Sequence, residues 1–341
     1  MYETVDDIVV SVVCLTFNHK TYIKDALDGF INQKTNFKFE VIVHDDASTD
    51  GTDEIIRSYA KKYPTIIKPI YQKENQWSKG GKLSKRFVYP LIKGKFVAFC
   101  EGDDYWVDPE KLQKQVDVFR EHPNVWICFH PVEIKWENKQ NSNSIYPSPR
   151  DRFYKTELSL EDLLKRNFIQ TNSVMYRWRF HTDSLDQIPD NILPTDWYLH
   201  LLHAEKGTIF MLQEIMSVYR RHDKGVWYGD NKDPLWFKKC AILNYCFYDY
   251  VEKKFHVDRE YEKKILIYIS FIYAKKSNDK LWAQKLLQID PTAIDCLKFN
   301  FSTYLKECMM SLICFWSNRS RAFLKPRIIK RCLLVLNKRK F

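Results

Sequence analysis

The sequence predicts an α/β protein, with a mostly parallel sheet flanked by helices and an all-helical C-terminal region after it. Three observations lead there. Apolar, β-branched runs alternate with segments of helical spacing up to about residue 130, as in chains built of βα units. Several of those runs are apolar at every position rather than at alternate ones, the mark of strands covered on both faces. Beyond about residue 231 no strand-like run remains and the spacing is helical throughout.

The elements follow in order. Ile8-Val9-Val10-Ser11-Val12-Val13-Cys14-Leu15 reads as a buried strand. Tyr22 to Gln33 carries Ile23, Ala26, Leu27, Phe30 and Ile31 at helical spacing, and Phe39 to Val43 is a second strand. Thr52 to Tyr63 reads as a helix with Asp50 at its N-cap and Asp53 in its first turn. Ile66 to Tyr71 is a short strand, Ser84 to Ile92 a helical stretch, and Phe96 to Cys100 a strand. Pro109 suits the first turn of a helix running to Glu121, and Val125 to Phe129 is again a strand. Pro131 to Thr156 is polar, with several Asn, Ser and Pro, and reads as a long loop. Leu158 to Arg166 reads as helix and Asn172 to Arg177 as strand. Asp196 to Glu205 is helical, opened by Pro194-Thr195 and closed by Gly207. Ile215 to Tyr219 is a short strand leading into Arg220-Arg221-His222. Helices are expected near 234–254, 258–277, 279–289 and 292–316, with a domain boundary that separates 1–230 from 231–341.

The segment after Phe96–Cys100 is chemically conspicuous. An apolar run stops in Glu101, Asp103 and Asp104, three carboxylates within four residues. Bunched carboxylates repel one another and resist burial, and a bound divalent cation relieves both costs. Acidic residues that open a following helix are the competing explanation, for which Asp108-Pro109-Glu110 is suited. In parallel sheets ligands bind beyond the carboxyl ends of the strands. Thr16 and Asn18 follow the first strand, Asp45 and Asp46 the second, and the acid triplet the strand at 96–100, so all three sets are expected on one sheet edge.

Composition bounds the alternatives. With 341 residues the chain has core enough for one large domain or two ordinary ones. Its net charge of +11 comes from the end, where nine Lys or Arg and no acid lie between Phe315 and Phe341. The remaining 45 basic residues face 43 acidic ones, which weakens the idea of a body that coats nucleic acid, and no nucleic acid is expected as partner. The nine cysteines are odd in number, without CxxC spacing, and Cys14, Cys100 and Cys128 sit in apolar runs, as reduced and buried thiols do. Met1 to Asp7 is acidic and polar, unlike a signal peptide, and no run of 18 apolar residues occurs. No GxGxxG follows a strand, the Gly80-Gly81 loop lacks the Walker pattern, and no HExxH is present.

The ordered fragments Val10-Ser11-Val12-Val13-Cys14-Leu15-Thr16-Phe17-Asn18, Phe39 to Thr52, Glu101 to Trp106, Thr195-Asp196-Trp197 and Tyr219-Arg220-Arg221-His222 resemble the inverting glycosyltransferases of family 2. These have the GT-A fold, a Rossmann-like sheet, and the resemblance covers roughly residues 8 to 228. It implies a nucleotide-sugar donor, UDP-linked in the first instance. Thr16 and Asp46 then hold the nucleobase, Asn18 shapes the same turn, and a carboxylate accepts from a base N–H. Asp103 and Asp104 match the DxD-like cation motif, with Asp104 as direct ligand and Asp103 on ribose or metal. Glu101 is its outer member, and which of the three meet the ion stays open. The cofactor is Mn²⁺ or Mg²⁺, which stabilises the departing diphosphate. Asp196 matches the catalytic base that takes the acceptor's proton, although an acid more often precedes it than Thr195. His222 matches a position near the diphosphate, in the metal shell or as a donor to phosphate. One basic residue among Lys79, Lys82, Lys85 and Arg86, taken here as Lys82, neutralises phosphate; a solvated basic loop is the alternative.

The tail interleaves apolar Leu324, Ile328, Ile329, Leu333 and Leu336 with its basic residues, a pattern that can lie on an anionic membrane surface through 315–341. A solvated basic tail remains the alternative. The acceptor implied by the resemblance is a glycan or lipid-linked oligosaccharide in surface polysaccharide assembly. The location expected is cytoplasmic, peripheral on the inner face of the plasma membrane. A catalytically silent sugar-nucleotide-binding module, a nucleotidyltransferase and a nucleic-acid binder driven by the tail, with steep salt dependence, are the rival functions. The second needs a Gly-rich basic loop after the first strand, where Thr16-Phe17-Asn18-His19 stands instead.

Overall fold

The computed structural model describes residues 7–80, 82–137, 142–223, 225 and 234–291. The chain divides into two compact units, Met1–Asp190 with Thr195–Arg221, and Asn191–Pro194 with His222–Phe341. The first unit runs β1 (Ile8–Thr16), α1 (Ile23–Ile31), β2 (Lys38–Asp45), α2 (Thr52–Lys62), β3 (Ile67–Tyr71), β4 (Phe96–Phe99), β5 (Tyr105–Trp106), α3 (Lys111–Glu121) and β6 (Val125–Phe129). It continues with β7 (Val132–Trp136), β8 (Ser144–Tyr146), β9 (Glu157–Leu158), α4 (Leu160–Lys165), β10 (Met175–Arg177), α5 (Thr195–Ala204), β11 (Thr208–Met211) and β12 (Ser217–Arg221). In the second unit α6 (Pro234–Phe255), α7 (Glu260–Lys276) and α8 (Lys280–Ile289) pack Ile267, Ala274, Trp282 and Leu286 into a small core.

The main sheet has the order β3-β2-β1-β4-β10-β6-β11-β9, and a smaller one the order β5-β12-β7-β8. Strands β3, β2, β1 and β4 are all parallel. Strand β10 lies antiparallel between β4 and β6. Val10, Val12, Val41 and Val43 are fully buried, as runs apolar on both faces require. Helix α1 buries Ile23, Ala26, Leu27 and Phe30, one stripe at helical spacing. Phe30 meets the Trp106 ring edge-on, with centroids 4.9 Å apart. Gly29 makes that approach possible, since a Cβ there would lie 2.9 Å from the Trp106 carbonyl oxygen. The polar members of the central strands are satisfied: Ser11 Oγ donates to Glu40 Oε1 at 2.7 Å and accepts from the Gly94 N–H at 2.9 Å.

The structure corrects several sequence expectations. The 131–156 segment is not all loop, because β7 buries Val132 and Ile134 and pairs in parallel with β12. Its alternating pattern is that of a half-buried strand, diluted by polar flanks. Strand β11 was not expected at all. Gly207 does not close α5 through a left-handed conformation; a Cβ there would fall 2.3 Å from the Asn124 carbonyl oxygen, so the glycine lets β11 lie beside β6. The N-cap of α2 is Gly51, at φ 92°, rather than Asp50. Asp50 still accepts from the Thr52 N–H at 3.0 Å and from the Lys20 N–H at 3.0 Å. The stretch from Ser84 is a π-helical turn to Val88 and a 3-10 turn to Leu91, and α3 begins two residues after Pro109. The expected helix at 292–316 and the tail at 315–341 lie outside the described residues.

One core residue is out of character. Lys111, in the first turn of α3, is fully buried. Its Nζ donates to Gln115 Oε1 at 2.7 Å and sits 4.2 Å from the Trp106 ring centroid. Burial pulls its pKa down to about 7, with the nearby Cys100 and Cys128 thiols opposing. An unfolded lysine keeps its proton to about pH 10.4. Between about 7 and that value the unfolded chain therefore binds the extra proton, and stability rises with pH. Urea unfolding of the wild type is expected to show this rise, and Lys111→Met to flatten it while gaining most below pH 7.

Candidate functional site

Because β2, β1 and β4 are parallel neighbours, their carboxyl ends share one edge, where the sequence placed its polar residues. The loops beyond these ends are stitched together. The Asp46 N–H donates to the Thr16 carbonyl at 3.0 Å and the Gly102 N–H to the Leu15 carbonyl at 2.9 Å. Asn18 adopts a left-handed conformation, φ 55°. It donates its N–H to Ser48 Oγ at 2.8 Å and accepts from the Thr49 N–H at 2.8 Å. Ser48 in turn donates to Asp45 Oδ1 at 2.5 Å. Burial raises the Asp45 pKa, and these hydrogen bonds oppose the rise. Asn18 thus holds the β1 loop against the β2 loop, as a turn-shaping residue should.

Thr16 is buried beneath Gly102, where a Cβ would stand 2.7 Å from Thr16 Oγ1. Among the described residues that hydroxyl has no hydrogen-bond partner. Asp46 is also buried, and its carboxylate is latched by a loop: Oδ1 accepts from the Gln76 N–H at 2.8 Å and Oδ2 from the Trp77 N–H at 3.0 Å. The Trp77 residue itself is exposed.

Glu101, Asp103 and Asp104 each offer an oxygen within 4.8 Å of the others. Glu101 is exposed, Asp103 half-buried and Asp104 buried. Asp104 Oδ1 accepts from the Arg220 N–H at 2.8 Å, and Asp104 Oδ2 is buried without a partner among the described residues. Burial drives the Asp104 pKa well up, Asp103 and Glu101 add to the rise, and Arg220 opposes it. An unpartnered carboxylate oxygen amid other carboxylates suits a hard divalent cation, so the triplet fits Mg²⁺ or Mn²⁺. Burial, reinforced by the triplet's field, pushes the nearby Cys14 thiol up as well, which makes it an inert packing group. His19, which sequence reasoning missed, has Nε2 3.8 Å from Asp103 Oδ2.

Asp196 lies in the first turn of α5, with Thr195 opening the helix. Thr171 Oγ1 donates to Asp196 Oδ2 at 3.4 Å. The next residue, Asn172, accepts the Trp106 indole N–H at 2.9 Å and donates to the Val218 carbonyl at 2.9 Å. One short turn thus ties Asp196 to the strand that follows the acid triplet. Lys82 Nζ donates to Thr195 Oγ1 at 2.7 Å, beside Asp196. The other basic residues of that loop are engaged elsewhere: Lys79 pairs with Glu74, Lys85 donates to the Ile188 carbonyl at 2.9 Å and to Asp190 at 3.2 Å, and the Arg86 guanidinium lies 5.0 Å from the Phe87 ring centroid. His222 follows β12 directly, opens the second unit and is buried.

Residues 11–223, more than half of the chain, match the family described as glycosyl transferase family 2. The chain belongs to that family. A Mycobacterium tuberculosis protein is 45% identical to this glycosyltransferase family member over 224 residues, 66% of this chain and 62% of the relative, so the chain matches less than two thirds of that relative's length. The Escherichia coli UDP-Glc:alpha-D-GlcNAc-diphosphoundecaprenol beta-1,3-glucosyltransferase WfaP is 30% identical over 127 residues, 37% of this chain and 47% of WfaP. The S. aureus TarS 1–349 structure in complex with UDP-GlcNAc superposes with a TM-score of 0.53 at 21% identity, covering 78% of this chain and 71% of that 1–349 chain. That likeness is one of fold, and the fold is GT-A.

The latch on Asp46 makes a local prediction. Hydrogen bonds to a charged acceptor contribute about 1.5–3 kcal/mol. In Asp46→Ala the amides of Gln76 and Trp77 are therefore expected to exchange with deuterium roughly tenfold faster or more, with β1 and β2 unchanged.

Proposed function

We propose that this chain is a metal-dependent, inverting glycosyltransferase that moves a sugar from a UDP-linked donor to an acceptor hydroxyl. The observation that carries it is the gathering of Thr16, Asp46 and the acid triplet on one sheet edge, with a buried, unpartnered Asp104 oxygen among them. Thr16 and Asp46 would hold the nucleobase, in a loop frame set by Asn18. Asp104, with Asp103 and Glu101, would hold Mg²⁺ or Mn²⁺, and Asp103 would also meet the ribose. The bound ion supplies positive charge opposite the leaving diphosphate. Lys82 brings a further positive charge to the start of α5 and would face the diphosphate.

Asp196 accepts the proton of the acceptor hydroxyl as that oxygen bonds to the anomeric carbon. The bond from carbon to phosphate oxygen breaks on the opposite face, and the nucleoside diphosphate leaves with the electron pair. Attack from the face away from the leaving group inverts the configuration. Thr171 orients the Asp196 carboxylate.

A lipid-linked glycan is the proposed acceptor. The similarity to WfaP, named for a diphosphoundecaprenol-linked acceptor, supports it. So does the basic, apolar-interleaved sequence of 315–341, which would bring the enzyme to the inner face of the plasma membrane. Among the described residues no helix is long and apolar enough to cross a membrane.

Release of nucleoside diphosphate from a panel of sugar nucleotides with Mn²⁺ tests the reaction. EDTA and Asp104→Ala are expected to abolish release. Asp196→Ala is expected to lower transfer by about 10²- to 10⁴-fold while UDP binding is kept. Undiminished turnover in EDTA would refute the metal assignment, and full turnover in Asp196→Ala the base assignment. For the tail, deletion after Phe315 should reduce co-sedimentation with anionic liposomes; equal sedimentation would leave a solvated tail.

A further inference from the structure

We propose that Arg220 is the positioning residue of the acid triplet, one buried guanidinium that fixes the Asp103–Asp104 segment and draws its carboxylates together before any cation arrives. The proposal rests on the cation reading above and assigns the part of the fold that makes such a site preformed.

Arg220 sits on β12 with its side chain 5% exposed. Its main-chain N–H donates to Asp104 Oδ1 at 2.8 Å, and Nη1 donates to the Asp103 carbonyl oxygen at 3.1 Å. The same side chain reaches outward in two other directions. Nε donates to Glu137 Oε1 at 3.1 Å, just past β7, and Nη2 donates to Asp25 in the first turn of α1. The guanidinium lies over the Tyr105 ring, 4.2 Å from its centroid, with the Tyr22 ring at 5.2 Å. Three nitrogens therefore serve three separate stretches of chain, and the planar fork of arginine is the side chain that can do so. A lysine, with its charge on one terminal nitrogen, would keep the charge and lose the geometry.

Charge points the same way. Asp25, Glu101, Asp103, Asp104 and Glu137 all lie around this one side chain or on the segment it holds. Lys135 stands 3.6 Å from Glu137 and the His19 ring 3.8 Å from Asp103. Arg220 touches both the triplet's backbone and the acids that flank it. A purely structural role is the rival. It predicts lost stability and no specific change in cation affinity, because the backbone pairing of β5 with β12 does not need the side chain.

The test is a Mn²⁺ titration of the full chain followed by electron paramagnetic resonance, alone and with UDP, with near-UV circular dichroism to verify the fold. Arg220→Lys is expected to weaken Mn²⁺ binding by roughly 10- to 100-fold, the usual cost of losing a residue that orients ligands. Asp25→Asn and Glu137→Gln, which each release one arm, should weaken it by smaller factors. Arg179→Lys is the control, since Arg179 is equally buried and pairs with Asp183 and Glu205 away from the triplet; its Mn²⁺ affinity should not move. Wild-type affinity in a folded Arg220→Lys overturns the proposal. Should that variant fail to fold, wild-type affinity in the Asp25→Asn, Glu137→Gln double variant overturns it. Absence of Mn²⁺ binding by the wild type, with and without UDP, is the separate failure of the cation reading itself.

Discussion

Repulsion among carboxylates is the constraint around which this site is built. Three acids at the end of β4 would fly apart or pick up protons in an unbraced loop. Here the backbone is tied on one side to the Leu15 carbonyl and on the other to Arg220, so the acids stay within reach of one another. The close approach of Gly102 to Thr16 leaves no slack beneath them. The repulsion is electrostatic, and on the proposed function a divalent cation would relax it.

Much of this was legible in the sequence. Strands β1, β2 and β6 declare themselves because burial on both faces leaves their centres almost wholly apolar, with Ser11 and Glu40 as hydrogen-bonded exceptions. Helix α1 does so through one buried stripe, and the triplet through its abrupt contrast with the strand before it. What escaped is what depends on partners far along the chain. Strand β7 needs β12 to be a strand, and β11 is four residues that matter only because Gly207 lets them lie beside β6. The roles of Arg220 and Thr171 depend on contacts that no local spacing encodes. Asp46 was readable as a site residue, but its latch to Gln76 and Trp77 was not.

Two stretches touch different parts of the candidate site: the Gln76 and Trp77 amides hold Asp46, and Lys82 holds Thr195 at the start of α5. On the proposed function these are the nucleobase side and the proton-accepting side of one reaction. Lys82, for which a solvated basic loop was the alternative in the sequence, is hydrogen-bonded within the first unit.

Strand β10 has a wider consequence. It runs against β4 and β6, and it is three residues long. Strands β3-β2-β1-β4 are thus joined to β6, β11 and β9 along a narrow antiparallel seam. One apolar core spans that seam, with Ala98, Met175 and Cys128 in the same cluster as Val12 and Val41, so a substitution on either side of β10 is felt on the other.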